Sequence, residues 1–180
     1  SLIAGIAVDK GYLNDFNHPV RSVFPEMNFF ESGQDVTIGD LLNMSSGLDW
    51  DENYYNPFNI TARSYMTKDL TSLTKSLSFS SEAGLNYNYQ SGATQLASLM
   101  IEKLLMDSSS ISFSEFSSIY FWEKIGASEE ALWSLDRKNG VEKSFCCFHS
   151  NAKDFAKIGR LFLKKGKINE DNIVLKAVSY

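Results

Sequence analysis

Two tyrosines before an apolar run and two serine–lysine pairs are the reactive combinations this sequence offers. Tyr87 and Tyr89 lie in Leu85-Asn86-Tyr87-Asn88-Tyr89-Gln90-Ser91-Gly92, directly before an apolar run over residues 93–106. Leu96, Leu99, Met100, Lys103 and Leu104 recur at spacings of three and four, so the run predicts a helix and the tyrosines stand at its entrance. Unpaired backbone N–H groups and the helix dipole concentrate positive potential at such an end. A phenol whose pKa is lowered there can act as a base. Ordinary aromatic packing before a helix is the plainer role for the same two rings.

A hydroxyl and an amine one helical turn apart offer a second chemistry, because the lysine can take the serine's proton and activate it as a nucleophile. Ser72-Leu73-Thr74-Lys75 and Ser150-Asn151-Ala152-Lys153 both fit. A chain this rich in serine and lysine supplies about two such pairs by chance, so spacing alone selects neither. Ser150 reads instead as the N-cap of a following helix.

Other chemistries fall away. His18 and His149 are far apart, and there is no His-Glu-x-x-His and no paired-cysteine spacing. A zinc site is therefore not expected, and each histidine reads as a polar loop or strand residue. There is no phosphate-cradling glycine loop and no Gly-x-Ser-x-Gly elbow. Cys146 and Cys147 are adjacent, and neighbouring residues rarely reach the geometry a disulfide requires. Flanked by Phe145 and Phe148, they read as small buried thiols on a strand, with no basic neighbour to make them reactive.

These residues need elements to position them, and at 180 residues with 43% hydrophobic content the chain fits one globular domain or part of a larger one. A net charge of −5 without blocks of like charge argues against a nucleic-acid partner. The run Lys164-Lys165-Gly166-Lys167 reads as a solvated helix end. Nothing reads as a signal peptide or a membrane span, since the apolar start over residues 2–8 is short and lacks a basic leader. Those residues read as the body of a helix ending at Asp9-Lys10-Gly11, with Gly11 as its left-handed terminator. A helix without its first turn implies sequence before Ser1, and Asn172-Ile173-Val174-Leu175 runs into residues 176–180 without a cap or polar tail. Both ends are expected to be cuts through a larger fold.

Between them the pattern is mostly helical. Residues 16–24, with Pro19 and Pro25 in or beside them, read as loop. Thr37 caps a short helix through Leu41, Leu42 and Met44, closed by Gly47. Residues 49–59 form an aromatic and polar loop, and residues 62–77 hold one or two helices. Residues 113–125 predict a helix with Phe116, Ile119, Tyr120 and Trp122 inward. Residues 131–135 and 144–148 predict strands either side of the turn Lys138-Asn139-Gly140. Residues 151–165 form the clearest amphipathic helix, with Phe155, Ile158, Leu161 and Phe162 on one face and Gly166 closing it.

Three stretches in this order carry a resemblance. They are Asp35-Val36-Thr37-Ile38-Gly39-Asp40-Leu41-Leu42-Asn43-Met44-Ser45-Ser46-Gly47-Leu48, then residues 84–92, then Asn151-Ala152-Lys153-Asp154-Phe155-Ala156-Lys157-Ile158-Gly159-Arg160-Leu161. Together they resemble the serine β-lactamase-related superfamily, which includes class C β-lactamases, DD-peptidases, related esterases and 6-aminohexanoate-dimer hydrolases. The Thr-x-x-x-Leu-Leu-x-Met-x-Ser-Gly-Leu stretch is the most specific part.

The resemblance implies an α+β β-lactamase/transpeptidase-like fold, with residues 1–180 as a single partial domain that holds mainly the helical subdomain and a few short strands. It places the Ser-x-x-Lys nucleophile a few residues before Ser1, which makes Ser72 and Lys75 a decoy. Tyr89-Gln90-Ser91 occupies the place of the second motif, Tyr-x-Asn or Tyr-x-Ser, so Tyr89 and Ser91 become the candidate catalytic residues. Serine in place of asparagine removes an amide donor that would hold a β-lactam side chain, which moves weight toward an esterase or amidase. The third motif, Lys-Thr-Gly or His-x-Gly, is expected beyond the region resembling residues 151–174.

The implied reaction is acyl transfer on a small-molecule ester, amide or peptide, with no metal and no cofactor. A free phenol titrates near 10, and a neighbouring ammonium would favour its phenolate. Aromatic residues of the loop 50–58 are candidates to line the cleft, whereas core packing is the expected role of Trp133. The resemblance favours an exported or periplasmic protein. A binding or scaffold protein that keeps the fold without the nucleophile is the competing class.

Overall fold

Leucines spaced by three and four do form the longest helix among the described residues, Ser91–Ser109, and five shorter helices pack against it. The computed structural model describes residues 1–31 and 35–168. In chain order the elements are α1 (Leu2–Asp9), α2 (Val20–Val23), α3 (Ile38–Leu42), α4 (Ile60–Met66), α5 (Leu70–Lys75), α6 (Ser91–Ser109), α7 (Phe113–Ser117) with a π-helical turn at Ser118–Trp122, β1 (Leu132–Trp133), β2 (Phe148–His149) and α8 (Ala152–Leu163). Among the described residues no helix is long and apolar enough to cross a membrane. The expectation for residues 172–180 lies outside the described residues.

Helix α6 contributes Ala93, Leu96, Ala97, Leu99, Met100, Ile101 and Leu105 to the core, and it touches α1, α2, α3, α5 and α7. Burying the leucine, isoleucine and methionine side chains among these is worth about 1.5–3 kcal/mol each, so α6 is the post against which the shorter helices are fixed. Helix α1 buries Ala4, Gly5, Ile6 and Ala7 and ends before Gly11, whose φ of 79° is the left-handed terminator the sequence calls for.

Helix α3 is too short to stand alone and depends on its start. Thr37 Oγ1 accepts the Asp40 N–H at 3.2 Å, while Asp40 Oδ2 accepts the Thr37 N–H at 2.9 Å, a reciprocal capping box. Thr37→Ala is expected to lower stability by about 1 kcal/mol. In denaturant the full-length protein should then unfold at a lower midpoint with an unchanged slope; an unmoved midpoint would show the box to be idle.

The structure revises several boundaries. Helix α3 ends at Leu42 rather than at Gly47, because Met44 itself takes a left-handed φ of 57° and turns the chain. A one-turn helix, α2, interrupts the expected loop over residues 16–24. Residues 62–77 form two helices, α4 and α5. After α7 the π-helical turn inserts one extra residue per turn and shifts the helical phase. Phe116 and Trp122 are buried as expected, but Phe121 also goes inward, and Ile119, expected inside, is 41% exposed.

The strands pair antiparallel with Leu132 opposite His149 and Trp133 opposite Phe148, and Asn139 at φ 57° makes the turn between them. Trp133 packs on Phe113 and Phe148 with ring centroids 5.4 and 4.6 Å apart, in keeping with its expected core role. Cys146 and Cys147 are not buried thiols: they form a disulfide with each other. The chain accommodates this by placing Cys147 at φ 64°, a conformation that ordinary propensity does not anticipate.

Helix α8 is capped by Asn151, whose Oδ1 accepts the Asp154 N–H at 2.9 Å, and not by Ser150. Asp154 is fully buried and accepts from Lys157, Ser128, Glu129 and Asn151. The Lys157 ammonium, together with the backbone donors and despite burial, holds its carboxyl far below the usual range. Leu161 is buried, but Phe155 and Phe162 remain over a third exposed among the described residues, so the amphipathic face is only partly covered.

Candidate active site

The segment leading into α6 is pinned from one side. The Gly84 N–H donates to the Ser45 carbonyl at 2.8 Å and the Asn88 N–H to the Met44 carbonyl at 2.7 Å. Gln90 is buried, and its Nε2 donates to the Leu48 carbonyl at 2.7 Å. The Thr37-to-Leu48 stretch therefore serves as a rail for residues 84–90. Between these anchors Tyr89 is 54% exposed, and its hydroxyl makes no hydrogen bond among the described residues.

Gln90 sits at the N-cap of α6 but makes no side-chain cap. Glu52, from the loop before α4, supplies it. Glu52 Oε2 accepts the Ser91 N–H at 2.7 Å and the Trp50 Nε1–H at 2.7 Å. Glu52 Oε1 accepts the Ser91 hydroxyl at 2.6 Å and the Tyr54 hydroxyl. An anion at a helix N-terminus satisfies orphaned donors and meets the positive end of the dipole. Burial pushes the Glu52 carboxyl up, and the hydrogen bonds from Ser91, Tyr54 and Trp50 outweigh that, leaving it below the ordinary value.

The Trp50 indole lies against the first turn of α6. A Cβ on Gly92 would stand 2.3 Å from the nearest Trp50 ring atom, so Gly92 is the residue that lets the ring approach. Trp50, expected at a cleft wall, is buried in this clamp instead. Its loop neighbours Tyr54, Tyr55 and Phe58 are exposed, as are Tyr65, Tyr87 and Tyr89, which gives an aromatic rim beside the α6 entrance. The Tyr54 phenol is raised by its hydrogen bond to the Glu52 carboxylate. The Tyr65 phenol is raised by burial first and by Glu52 and Tyr89 nearby. The hairpin supports this rim from behind: Lys143 Nζ donates to the Tyr65 carbonyl at 2.5 Å, and Phe145 packs edge-on against Tyr65 at 5.1 Å.

Of the two residues expected from the sequence, Tyr89 is presented to solvent, whereas Ser91 is 3% exposed with both its hydroxyl and its amide turned into Glu52. Ser72 is exposed on α5 and its N–H is capped by Asp69; Lys75 pairs with Glu26 and lies over Phe24. The structure thus gives that pair no acid–base coupling. A separate groove of about 850 Å³, lined by Ser1, Trp122, Trp133, Phe148, Ile158 and Phe162 among others, contains neither Tyr89 nor Ser91. No cluster of three or more metal-ligating side chains occurs among the described residues.

Glu52 is the residue the sequence reading missed. A signal existed: a long helix beginning at Gln90-Ser91 has no Ser, Thr, Asp or Asn at its cap, so a side chain from elsewhere has to supply the acceptor. The lowered carboxyl of Glu52 fixes a pH dependence. Its stabilisation is complete above the ordinary glutamate value of about 4.3 and is lost as pH falls through the lowered folded-state value. The stability gap between wild type and Glu52→Gln is therefore expected to be widest near neutrality and to close in acid. A gap that widens on acidification would contradict the assignment of the folded carboxylate as the charged form.

The chain matches the family model described as Beta-lactamase over residues 2–134. No curated protein matches it. Among solved structures it is similar to a Bacillus anthracis protein described as a 6-aminohexanoate-dimer hydrolase, at 17% identity and a TM-score of 0.74, covering 97% of this chain and 48% of that one. It is also similar to an octameric penicillin-binding protein homologue from Pyrococcus abyssi (18%, 0.64, covering 93% and 43%). A third is a D-stereospecific amidohydrolase from Streptomyces sp. (17%, 0.60, covering 90% and 57%). At such identities the likeness is one of fold. The chain spans about half the length of these structures.

Proposed function

The chain belongs to the β-lactamase family and has its transpeptidase-like fold, and from that premise we propose that the full-length protein is a serine hydrolase acting through an acyl-enzyme on an ester, amide or peptide. The observation that carries this reading is Tyr89: a hydroxyl held at the entrance of α6, exposed, unbonded among the described residues, and bracketed by pinned neighbours. A side chain kept in place and left without a partner suits a group that meets substrate.

In the proposed reaction a serine encoded before Ser1 attacks the carbonyl carbon, its proton passing to the Tyr89 oxygen, which the lysine one turn on from that serine assists as a charge partner. The carbonyl oxygen becomes an oxyanion stabilised by backbone N–H groups. Collapse of the oxyanion breaks the bond to the leaving group, which takes that proton from Tyr89; water then attacks the acyl-enzyme, passing a proton to Tyr89 that moves on to the serine oxygen as the acid is released. Tyr89 is the catalytic group within this chain, and Ser91 acts through it from inside the Glu52 clamp. The aromatic rim of Tyr54, Tyr65 and Tyr89 fits an acyl group with apolar surface. An exported location is part of this proposal, and the Cys146–Cys147 disulfide supports it, because disulfides persist in oxidising compartments.

Rapid mixing with p-nitrophenyl esters tests the reading. The full-length protein should release about one equivalent of p-nitrophenolate in a burst before steady turnover, the mark of an accumulating acyl-enzyme. Absence of any turnover of esters, anilides and β-lactam reporters would instead favour a binding protein on the same fold. Ser72→Ala should leave both burst and steady rate unchanged; loss of the burst in that variant would make Ser72 the nucleophile.

A further inference from the structure

We propose that Glu52 is a positioning residue for Tyr89, holding the first turn of α6 and the rim tyrosine Tyr54 in one hydrogen-bonded unit. This rests on the serine-hydrolase reading given above. Each Glu52 oxygen takes two donors, one from Ser91 and one from its own loop, so the carboxylate joins two segments 39 residues apart in the chain. A saturated acceptor of this kind is not available to take a substrate proton. Its work is geometric.

The geometry bears on Tyr89 because of what flanks it. On the N-terminal side Asn88 is tied to Met44 by a single backbone bond. On the C-terminal side Gln90 is tied to Leu48, and Ser91 is tied to Glu52 twice. Ser91 carries the only charged tie among these, and it lies two residues from the phenol. Trp50 completes the unit, with its ring against Gly92 and its Nε1–H on Glu52. Removal of the carboxylate frees the turn that aims Tyr89 and the loop that carries Tyr54, and misplacement by about 1 Å is enough to cost about 10²-fold in rate.

Substitutions separate hydrogen bonding from charge. The Ser91 N–H and Trp50 Nε1–H can only donate, and both fall on Oε2; the hydroxyls of Ser91 and Tyr54, both on Oε1, can donate or accept. A glutamine with its oxygen at the Oε2 position and its NH₂ at the Oε1 position satisfies all four partners. Glu52→Gln in the full-length protein is therefore expected to keep kcat within about threefold of wild type. Glu52→Ala strands two N–H donors and should lower kcat by about 10–10²-fold with KM little changed. Ser91→Ala, which removes one bond and leaves the helix intact, should fall between them.

Ring-¹³C tyrosine spectra provide a second reading that needs no turnover. The Tyr89 resonance should move or broaden in Glu52→Ala and stay in place in Glu52→Gln. Retention of both kcat and the Tyr89 resonance in a folded Glu52→Ala would overturn the proposal. So would a Glu52→Gln as impaired as Glu52→Ala, since that outcome assigns the effect to charge. Failure of the hydrolase reading looks different: wild type itself would turn over nothing, while the spectra still report whether Glu52 fixes Tyr89.

Discussion

Tyr89→Phe is expected to lower kcat of the full-length protein by about 10²–10⁴-fold, the range for loss of a proton-transfer group. Stability should hardly change. The ring is half in solvent and its hydroxyl bonds to nothing among the described residues, so phenylalanine keeps every packing contact and loses no hydrogen bond. KM should also change little if the hydroxyl acts mainly in the transition state, and kcat and kcat/KM should then fall together. Tyr87→Phe is the matched control, because Tyr87 is more exposed than Tyr89 and one residue further from the Glu52 clamp on its N-terminal side than Asn88. Loss of activity in Tyr87→Phe with retention in Tyr89→Phe would move the motif by two residues. Two active variants would remove the tyrosine from the mechanism.

Gly92→Ala carries the largest expected cost in stability. Helix propensity pulls the other way, since alanine in place of glycine within a helix is worth about 1 kcal/mol in its favour. The added Cβ, however, would lie 2.3, 2.8 and 2.9 Å from three atoms of the Trp50 ring. That ring cannot swing aside cheaply: it is buried, and its Nε1–H is held by Glu52 at 2.7 Å. Overpacking of a fixed neighbour costs about 1–3 kcal/mol and more when a hydrogen bond is broken as well. The clash wins, and a net loss of about 2 kcal/mol is expected in equilibrium unfolding, with turnover reduced beyond the folded fraction because the displaced indole takes Glu52 with it. A Gly92→Ala protein as stable as wild type would show that Trp50 does not lie against this turn.

Local signals were legible in the sequence and trans-acting ones were not. Helix α6 follows from apolar spacing, the α3 start from Thr37 and Asp40 three residues apart, and the ends of α1 and α8 from Gly11 and Gly166, which take φ of 79° and 80°. The hairpin follows from its Lys138-Asn139-Gly140 turn, although its second strand is Phe148–His149 rather than residues 144–148. Each of these is settled within a few residues. The π-helical turn is not, because the burial of Phe121 in the tertiary core overrides the helical period that would have placed Ile119 inward. Asn151 displaces Ser150 as a cap because its amide both accepts from the Asp154 N–H and donates to the Asp154 carboxylate, a double contact a hydroxyl one residue earlier cannot make. The disulfide of Cys146 and Cys147 depends on a left-handed Cys147 that adjacency alone disfavours.

The candidate site divides in the same way. Residue type, helix entrance and family resemblance single out Tyr89 in the sequence, and the structure adds that it is exposed at that entrance. Its support was not legible, because Glu52 is 39 residues from Ser91 in the chain and stands in an aromatic loop with no period of its own. Trp50 shows the matching error: an aromatic residue in a loop reads as a cleft wall, and only the close approach permitted by Gly92 turns it inward.

Covalent trapping identifies the nucleophile. The full-length protein, incubated with a fluorophosphonate or a slowly hydrolysed β-lactam, is digested, and the adduct is located by peptide mass spectrometry. One adduct per chain is expected, on the serine of a Ser-x-x-Lys encoded shortly before Ser1, with a slower rate of labelling in Tyr89→Phe. An adduct on Ser72 or Ser91, or steady ester turnover with no adduct at all, would contradict the proposed mechanism.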